Sequence, residues 1–526
     1  MGCSVLGIVP GRKGFVLEKV LHVLEKEKNR GDDGSGLLFL KNGKFIVEKW
    51  AGTARDIPRH VFDNLMNSPI ARKPELVLGH ARYATKGKIN LDNNHPAMAT
   101  REKCAVAVVM NGEISFTSRW GKEAEKEGID MHGSTTDSAR CAAKILMEYA
   151  GRGKLGEALT EFYRQAFPFG GFTILGMLAD GKKQFFFFIR EGLRPLHCAE
   201  FNDSRIFFSE TSHVRELGEV KVKEVPAGTI GTIDLRTGKM KKTDVRKKLK
   251  GTCFRALCPY EIAYFQNYGS RVNGTTVDNI RRDFGRVLAK EHKPEQDSVI
   301  SWIPNSGINA TQGYFEQALN LQSGVQFRQV ITRQEQSRQR GERSFLGYKS
   351  MSLEEKLKRK FKVLYPEVKG EKVLLIDDSI VRGSVAAWLS KKFKNSEAKS
   401  VSLYLAWPPM VGGCKAGIDL EDGELIAPRL LKKKDIVKNQ KKLEKILTKK
   451  GFRHKRFGRV KFHKVRYVSV GGVKSVFGKH LHGKICTGCF EGNYSYIHRG
   501  NKRNAPKWLL EFIEKNKVEV PEEMKK

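Results

Sequence analysis

The sequence predicts an α+β domain of layered sheets and helices, followed by an α/β domain built on a mostly parallel sheet. Three observations carry this expectation. Residues 7–245 read as many short apolar runs of strand length, bounded by Gly, Asn and Asp turns, with few helical intervals. Beyond residue 255 apolar strands alternate with helical segments, the pattern of a doubly wound sheet whose ligands sit at the carboxyl ends of strands. Between the two, residues 241–250 are basic and polar and suit a linker.

In the first half, strands are expected at 37–40, 76–78, 105–110, 172–178 and 185–189, and helices at 15–28 and 137–149. In the second, buried parallel strands are expected at 299–303, 324–331, 372–376 and 400–405, with helices at 277–290, 309–318 and 385–393. The resulting division is 3–245, then 255–500 with a basic insertion over 430–464, then a tail over 501–526 with one amphipathic helix. No repeat of solenoid period is present.

The chain has 526 residues, 40% hydrophobic and 29% charged, which is the composition of a globular protein with room for two cores. No run of about 18 apolar residues is found, and the N-terminus lacks the basic leader of a secretory signal, so a cytoplasmic location without membrane attachment is expected. The net charge of +38 is concentrated in residues 356–362 and 432–464. Such a bias attracts polyanions, or solvates a Lys-rich surface. Aromatic residues are not interleaved with the bases, so nucleic acid is not an expected partner.

The sharpest motif is Val373-Leu374-Leu375-Ile376-Asp377-Asp378-Ser379-Ile380-Val381-Arg382-Gly383-Ser384. An apolar strand ends in two acids, and a small-residue turn then opens a helix. Backbone N–H groups of such a turn and helix start cradle a phosphate. The paired acids, Asp377 and Asp378, suit ribose hydroxyls and a magnesium ion. The string resembles the ribose-phosphate loop of phosphoribosyltransferases. Ser301-Trp302-Ile303-Pro304-Asn305-Ser306-Gly307 is similar to their pyrophosphate loop, with Asn305 where an acid is usual and Ser306 as a magnesium contact. Residues 338–346 resemble the lid loop, with Arg343 as its phosphate-binding cation and Glu342 in place of a glycine. Val385 stands where a second hydroxyl is preferred in the phosphate loop.

The first half resembles the glutaminase domain of class II amidotransferases, which are N-terminal-nucleophile hydrolases. The matching pieces are Arg30-Gly31-Asp32-Asp33-Gly34-Ser35-Gly36, Gly79-His80-Ala81-Arg82-Tyr83-Ala84-Thr85, Asn111-Gly112-Glu113-Ile114 and Ser134-Thr135-Thr136-Asp137-Ser138. Each is modest alone; four in order are specific. The resemblance implies Cys3 as nucleophile with its own α-amine as base, and Asn111 with the Gly112 N–H as oxyanion hole. It assigns Arg82 to the α-carboxylate of glutamine and Asp137 to its α-ammonium. Cys3 follows Met1 and Gly2, so a two-residue leader has to be removed to free that amine; Met110 stands where a His is usual.

Cys486-Thr487-Gly488-Cys489 is a Cys-x-x-Cys pair that by itself fits zinc, thiol exchange or a plain core. With Cys258 and Cys414, it resembles the four-cysteine set that carries a [4Fe-4S] cluster in many members of the amidophosphoribosyltransferase family; zinc is the lesser rival. Cys104, Cys141, Cys198 and Cys253 are expected to be structural. From Cys3 to Tyr494 the chain is similar to that family. The resemblance implies transfer of glutamine-derived ammonia to 5-phosphoribosyl pyrophosphate, giving 5-phosphoribosylamine, with Mg2+ and the cluster as cofactors. It further implies purine nucleotides as inhibitors and a homodimer or homotetramer. The rival expectations are an enzyme that uses free ammonia only, and a non-catalytic regulatory relative that binds phosphoribosyl pyrophosphate or nucleotides.

Overall fold

The structure is a computed structural model. It describes the chain except residues 1, 13–16, 85–88, 182, 219, 250–256, 335–351, 415–416, 419, 482–484, 493–506, 516 and 519–526. The first half is two facing sheets. One has seven strands, ordered Lys223–Glu224, His197–Phe201, Ser204–Phe208, Ser4–Val9, Leu76–Arg82, Gly34–Lys41 and Lys44–Ala51. The other has six, ordered Met240–Asp244, Thr229–Asp234, Lys183–Arg190, Gly170–Asp180, Cys104–Ile114 and Ala97–Arg101. Every pairing in both is antiparallel.

The alternation of each strand explains the layering. Val5, Leu38, Leu78, Val109, Leu175, Phe186 and Phe207 point into one buried layer between the sheets. Their neighbours one residue along point outward and are covered by helices. Asp137–Arg152 and Leu155–Ala166 lie on the six-stranded sheet through Ala142, Ile145, Leu159 and Phe162. Leu17–Lys26 and Arg59–Asn67 cover the other sheet through Val20, Leu24, Val61 and Leu65. The helix at 137 is set by Thr136, whose hydroxyl accepts the Ala139 N–H, and is closed by Gly153 in the left-handed region.

The main sheet of the second half has five strands, all parallel, ordered Gln326–Phe327, Ser298–Trp302, Lys372–Asp377, Ser400–Leu405 and Val465–Tyr467. Apolar side chains on both faces account for their unbroken hydrophobic runs. Leu374 and Ile376 join one core with the helices Val277–Glu291 and Ile308–Ala318; Val373 and Leu375 join another with Ser384–Phe393.

Two expectations need correction, and the expected C-terminal helix is found in an unforeseen place. Residues 324–331 are not one strand: only Gln326–Phe327 pairs with the parallel sheet, and Ile331–Arg333 turns off to pair with Phe361–Val363. The stretch read as a linker begins as the edge strand Met240–Asp244, and Val245 and Leu249 are core residues. The helix Lys507–Lys515 near the C-terminus returns to the first half, burying Leu509 and Ile513 beside Val245 and Leu249. Each depends on a partner far away in sequence. No helix among the described residues is long and apolar enough to cross a membrane.

Candidate active sites

Cys3 immediately precedes the central strand Ser4–Val9, which is bonded on one side to Leu76–Arg82 in the register Ser4↔Ala81. That register delivers Cys3 to the end of the strand that carries Arg82. The Tyr83 N–H lies 3.5 Å from Cys3 Sγ, and the thiol in turn reaches the Tyr83 carbonyl at 3.5 Å. Burial pushes the Cys3 thiol up, against the pull of Arg82 and Arg30. The thiol is therefore protonated at rest and needs a base to attack.

Asn111 and Gly112 lie near the end of the long strand Cys104–Ile114 in the facing sheet. The Asn111 side chain is buried, and neither its oxygen nor its nitrogen has a hydrogen-bond partner. An unpaired buried amide costs about 1–3 kcal/mol, so a donor kept idle here is a feature to be explained by a ligand. Gly112 has φ +130°, and a Cβ there would lie 2.0 Å from the Gly171 carbonyl oxygen, so only glycine fits. Behind them, the Met110 N–H donates to His95 Nδ1 and the Met110 carbonyl meets His80 Nε2, at 3.2 and 3.1 Å. The two imidazoles stack at 4.0 Å. Burial pushes His80 down to about 3, so it stays neutral and serves as a scaffold.

Arg82 is buried and donates to Asn94 Oδ1 at 3.1 Å, and it lies within electrostatic reach of Cys3, Asp33 and Asp137. Asp137 opens its helix and accepts the Ile114 N–H at 3.1 Å. Arg82 thus lies within electrostatic reach of both Cys3 and Asp137, and Asp137 is tied to the strand of Asn111 and Gly112. Gly2 lies close to Asn111: a Cβ on Gly2 would be 3.3 Å from Asn111 Oδ1 and 3.2 Å from Arg30 Nη2.

In the second half, Ser306 follows the strand Ser298–Trp302 and Asp377 ends the adjacent strand Lys372–Asp377, so parallel pairing places them side by side. Ser306 Oγ donates to Asp377 Oδ1 at 3.1 Å, and the Ser379 hydroxyl donates to Asp378 Oδ2 at 2.8 Å. Burial, with the neighbouring Asp378 charge, pushes Asp377 well up. Two buried carboxyls this close want a cation between them. Lys360 and Arg333 supply positive charge nearby, with Lys360 within electrostatic reach of both acids. Ser379 to Ser384 follow as the turn into the helix Ser384–Phe393, with Gly383 in the left-handed region. Ile380 is buried there, and Arg382 is turned outward, donating to Glu424 at 2.8 Å. Arg343 lies outside the described residues.

Cys258, Cys414, Cys486 and Cys489 gather in one core, and each of Cys258 and Cys489 is within electrostatic reach of the other three or two of them. Burial pushes both thiols far up, so a positive centre is needed to ionise them. Among the described residues no three His, Cys, Asp or Glu side chains are close enough to hold a single metal ion. Cys414 Sγ also receives the Ile418 N–H at 3.3 Å.

Several residues here were not singled out by the sequence. Glu261, three residues after Cys258, is fully buried and bridges Arg30 and Arg194, each at 2.7 Å. Arg30 also pairs with Glu210 at 2.7 Å and donates through Nε to the Cys3 carbonyl at 3.0 Å. Tyr264 lies within electrostatic reach of Tyr83 and of both Asp377 and Asp378. Arg30 and Glu261 occur inside recognisable motifs, but only their meeting gives them a role.

No protein-family model matches the chain. It is 25% identical over 495 residues to the amidophosphoribosyltransferase of Methanothermobacter thermautotrophicus, covering 94% of each chain. It is 27% identical over 429 residues to that of Archaeoglobus fulgidus, covering 80% of this chain and 86% of the relative. The solved glutamine phosphoribosylpyrophosphate amidotransferase from B. subtilis, complexed with ADP and GMP, superposes with a TM-score of 0.71 at 21% identity, covering 94% of this chain and 97% of that one. Along nearly its whole length the chain is similar in sequence to amidophosphoribosyltransferases and in fold to the solved B. subtilis amidotransferase.

Proposed function

We propose that the protein transfers ammonia from glutamine to 5-phosphoribosyl pyrophosphate, the entry reaction of purine synthesis, with residues 3–245 as an N-terminal-nucleophile glutaminase and 255–500 as the phosphoribosyltransferase. The observation that carries this reading is the nearness of two incomplete chemistries: Tyr264 is within electrostatic reach both of Tyr83, the residue hydrogen-bonded to Cys3, and of the Asp377–Asp378 pair. Each pocket alone is a hydrolase or a sugar-phosphate site; adjacent, they suit passage of a small nucleophile.

Glutamine binds with its carboxylate on Arg82 and its ammonium on Asp137. The Cys3 α-amine, freed by removal of whatever precedes it, takes the thiol proton as sulfur attacks the carboxamide carbon. Asn111 Nδ2 and the Gly112 N–H donate to the resulting oxyanion, and the same amine returns its proton to the departing ammonia; a water deprotonated by that amine then attacks the γ-glutamyl thioester, releasing glutamate and the Cys3 thiol. At the second site Ser306, Asp377 and Asp378 would hold Mg2+, which neutralises the pyrophosphate leaving group when bound. The turn from Ser379 to Ser384 offers backbone N–H groups to the 5′-phosphate.

The four cysteines would hold a [4Fe-4S] cluster. What supports this is that Cys258, Cys414, Cys486 and Cys489 share one core, and four thiolates are a donor set such a cluster takes. Purine nucleotides as inhibitors and a homo-oligomer complete the proposal. A second reading, an ammonia-only enzyme, is favoured by Gly2, which occupies the space in front of Asn111 and has to leave before a carboxamide enters.

The test combines an intact-mass spectrum of anaerobically purified protein with assays for glutamate and pyrophosphate release. A chain beginning at Cys3 that releases both products is expected. Pyrophosphate with ammonia but none with glutamine supports the second reading; no pyrophosphate with either donor refutes both.

A further inference from the structure

The basic insertion forms two short helices, Lys433–Lys438 and Gln440–Lys449, and a hairpin of Phe452–His454 with Gly458–Val460. Its apolar residues Ile436, Leu443, Leu447, Phe452 and Val460 enter the same core as Ile380 and Ala387 of the ribose-phosphate loop and its helix. The hairpin is therefore docked on that loop. Phe452 lies against Gly383, where a Cβ would stand 2.9 Å from the ring and the backbone has φ +73°.

His454 is buried and makes two contacts. Its Nδ1 faces the Arg456 N–H at 3.2 Å, and its Nε2 faces Ser384 Oγ at 3.2 Å. A backbone N–H only donates, so Nδ1 is the acceptor and the ring proton resides on Nε2. Ser384 consequently accepts from His454, and its own O–H is left to donate elsewhere, at the first residue of the helix where a phosphate would rest. Burial, then Arg429 and Arg456, hold His454 below its usual range and favour this neutral form. With Val385 next to it in place of a second hydroxyl, Ser384 is the hydroxyl on which that end of the loop depends.

We propose that the 452–460 hairpin belongs to the phosphate site, with His454 as a positioning residue that fixes the Ser384 hydroxyl as donor to the 5′-phosphate. This rests on the phosphoribosyl reading above. Ligand and phosphate source are the same molecule, and the probes are ribose 5-phosphate and inorganic pyrophosphate, titrated calorimetrically with Mg2+ into the full-length protein.

His454→Ala and Ser384→Ala should each weaken ribose 5-phosphate binding about tenfold to 100-fold, the scale of one hydrogen bond to a charged group. The double variant should be no weaker than Ser384→Ala alone, because His454 acts through that hydroxyl. Pyrophosphate binding should not change, and His454→Gln, which keeps a donor toward Ser384, should recover most of the loss. Multiplying effects in the double variant, or equal weakening of pyrophosphate, would overturn the role of His454. A wild-type protein that binds neither probe would instead remove the phosphoribosyl reading itself.

Discussion

Replacing Glu261 by Ala tests whether the two halves are held together by charge. Glu261 is completely buried; Oε2 accepts from Arg30 Nη2 and Oε1 from Arg194 Nη1, both at 2.7 Å. Burial opposes its charge, but Arg30 and Arg194 outweigh it and hold the carboxyl below its usual range. Truncation leaves two buried guanidiniums short of a counter-charge. Removing one partner of a buried pair costs about 3–5 kcal/mol, and two charge-assisted hydrogen bonds at about 1.5–3 kcal/mol each give the same range. Urea unfolding of the anaerobic protein should show that loss in its principal transition. Because Arg30 also holds the Cys3 carbonyl, glutaminase activity should fall with it. The sign with pH follows from the depressed carboxyl. Its contribution is full above the unfolded-state value for Glu and is lost as pH falls through the lower folded-state value. The wild type should therefore lose stability over that acidic range while Glu261→Ala is less sensitive there. A destabilisation below about 1 kcal/mol, the level of an exposed surface pair, would refute the reasoning.

Two further outcomes follow from the sites. Asn111→Ala should lower glutamine-dependent kcat about 100- to 1,000-fold, the usual consequence of losing one oxyanion donor, while ammonia-dependent turnover measured in the same preparation persists. Cys486→Ser should abolish the visible charge-transfer absorbance and lower iron content per chain measured by elemental analysis; unchanged iron would exclude these cysteines as the cluster's ligands.

Much of both sites is legible because it is local. The run from Val373 to Ser384 contains its strand, its acids and its phosphate turn in one contiguous piece, so neighbouring residues alone specify the chemistry. The same holds for Asn111-Gly112, where a positive φ requires the glycine. Alternating apolar residues likewise mark strands such as Cys104–Ile114 before any partner is known.

What the sequence by itself determined is therefore the local elements of the two candidate sites and their order along the chain. Only the tertiary structure decided how they meet. Glu261 reaches Arg30 across 231 residues, and Ser384 meets His454 across 70. Leu509 and Ile513 return to the first core from the far end of the chain. None of these meetings leaves a periodic or compositional signal, although the amphipathic helix that carries Leu509 and Ile513 does. A buried ion pair or a hydroxyl–imidazole contact is specified by the folding of whole elements onto one another, not by the spacing of the residues that make it.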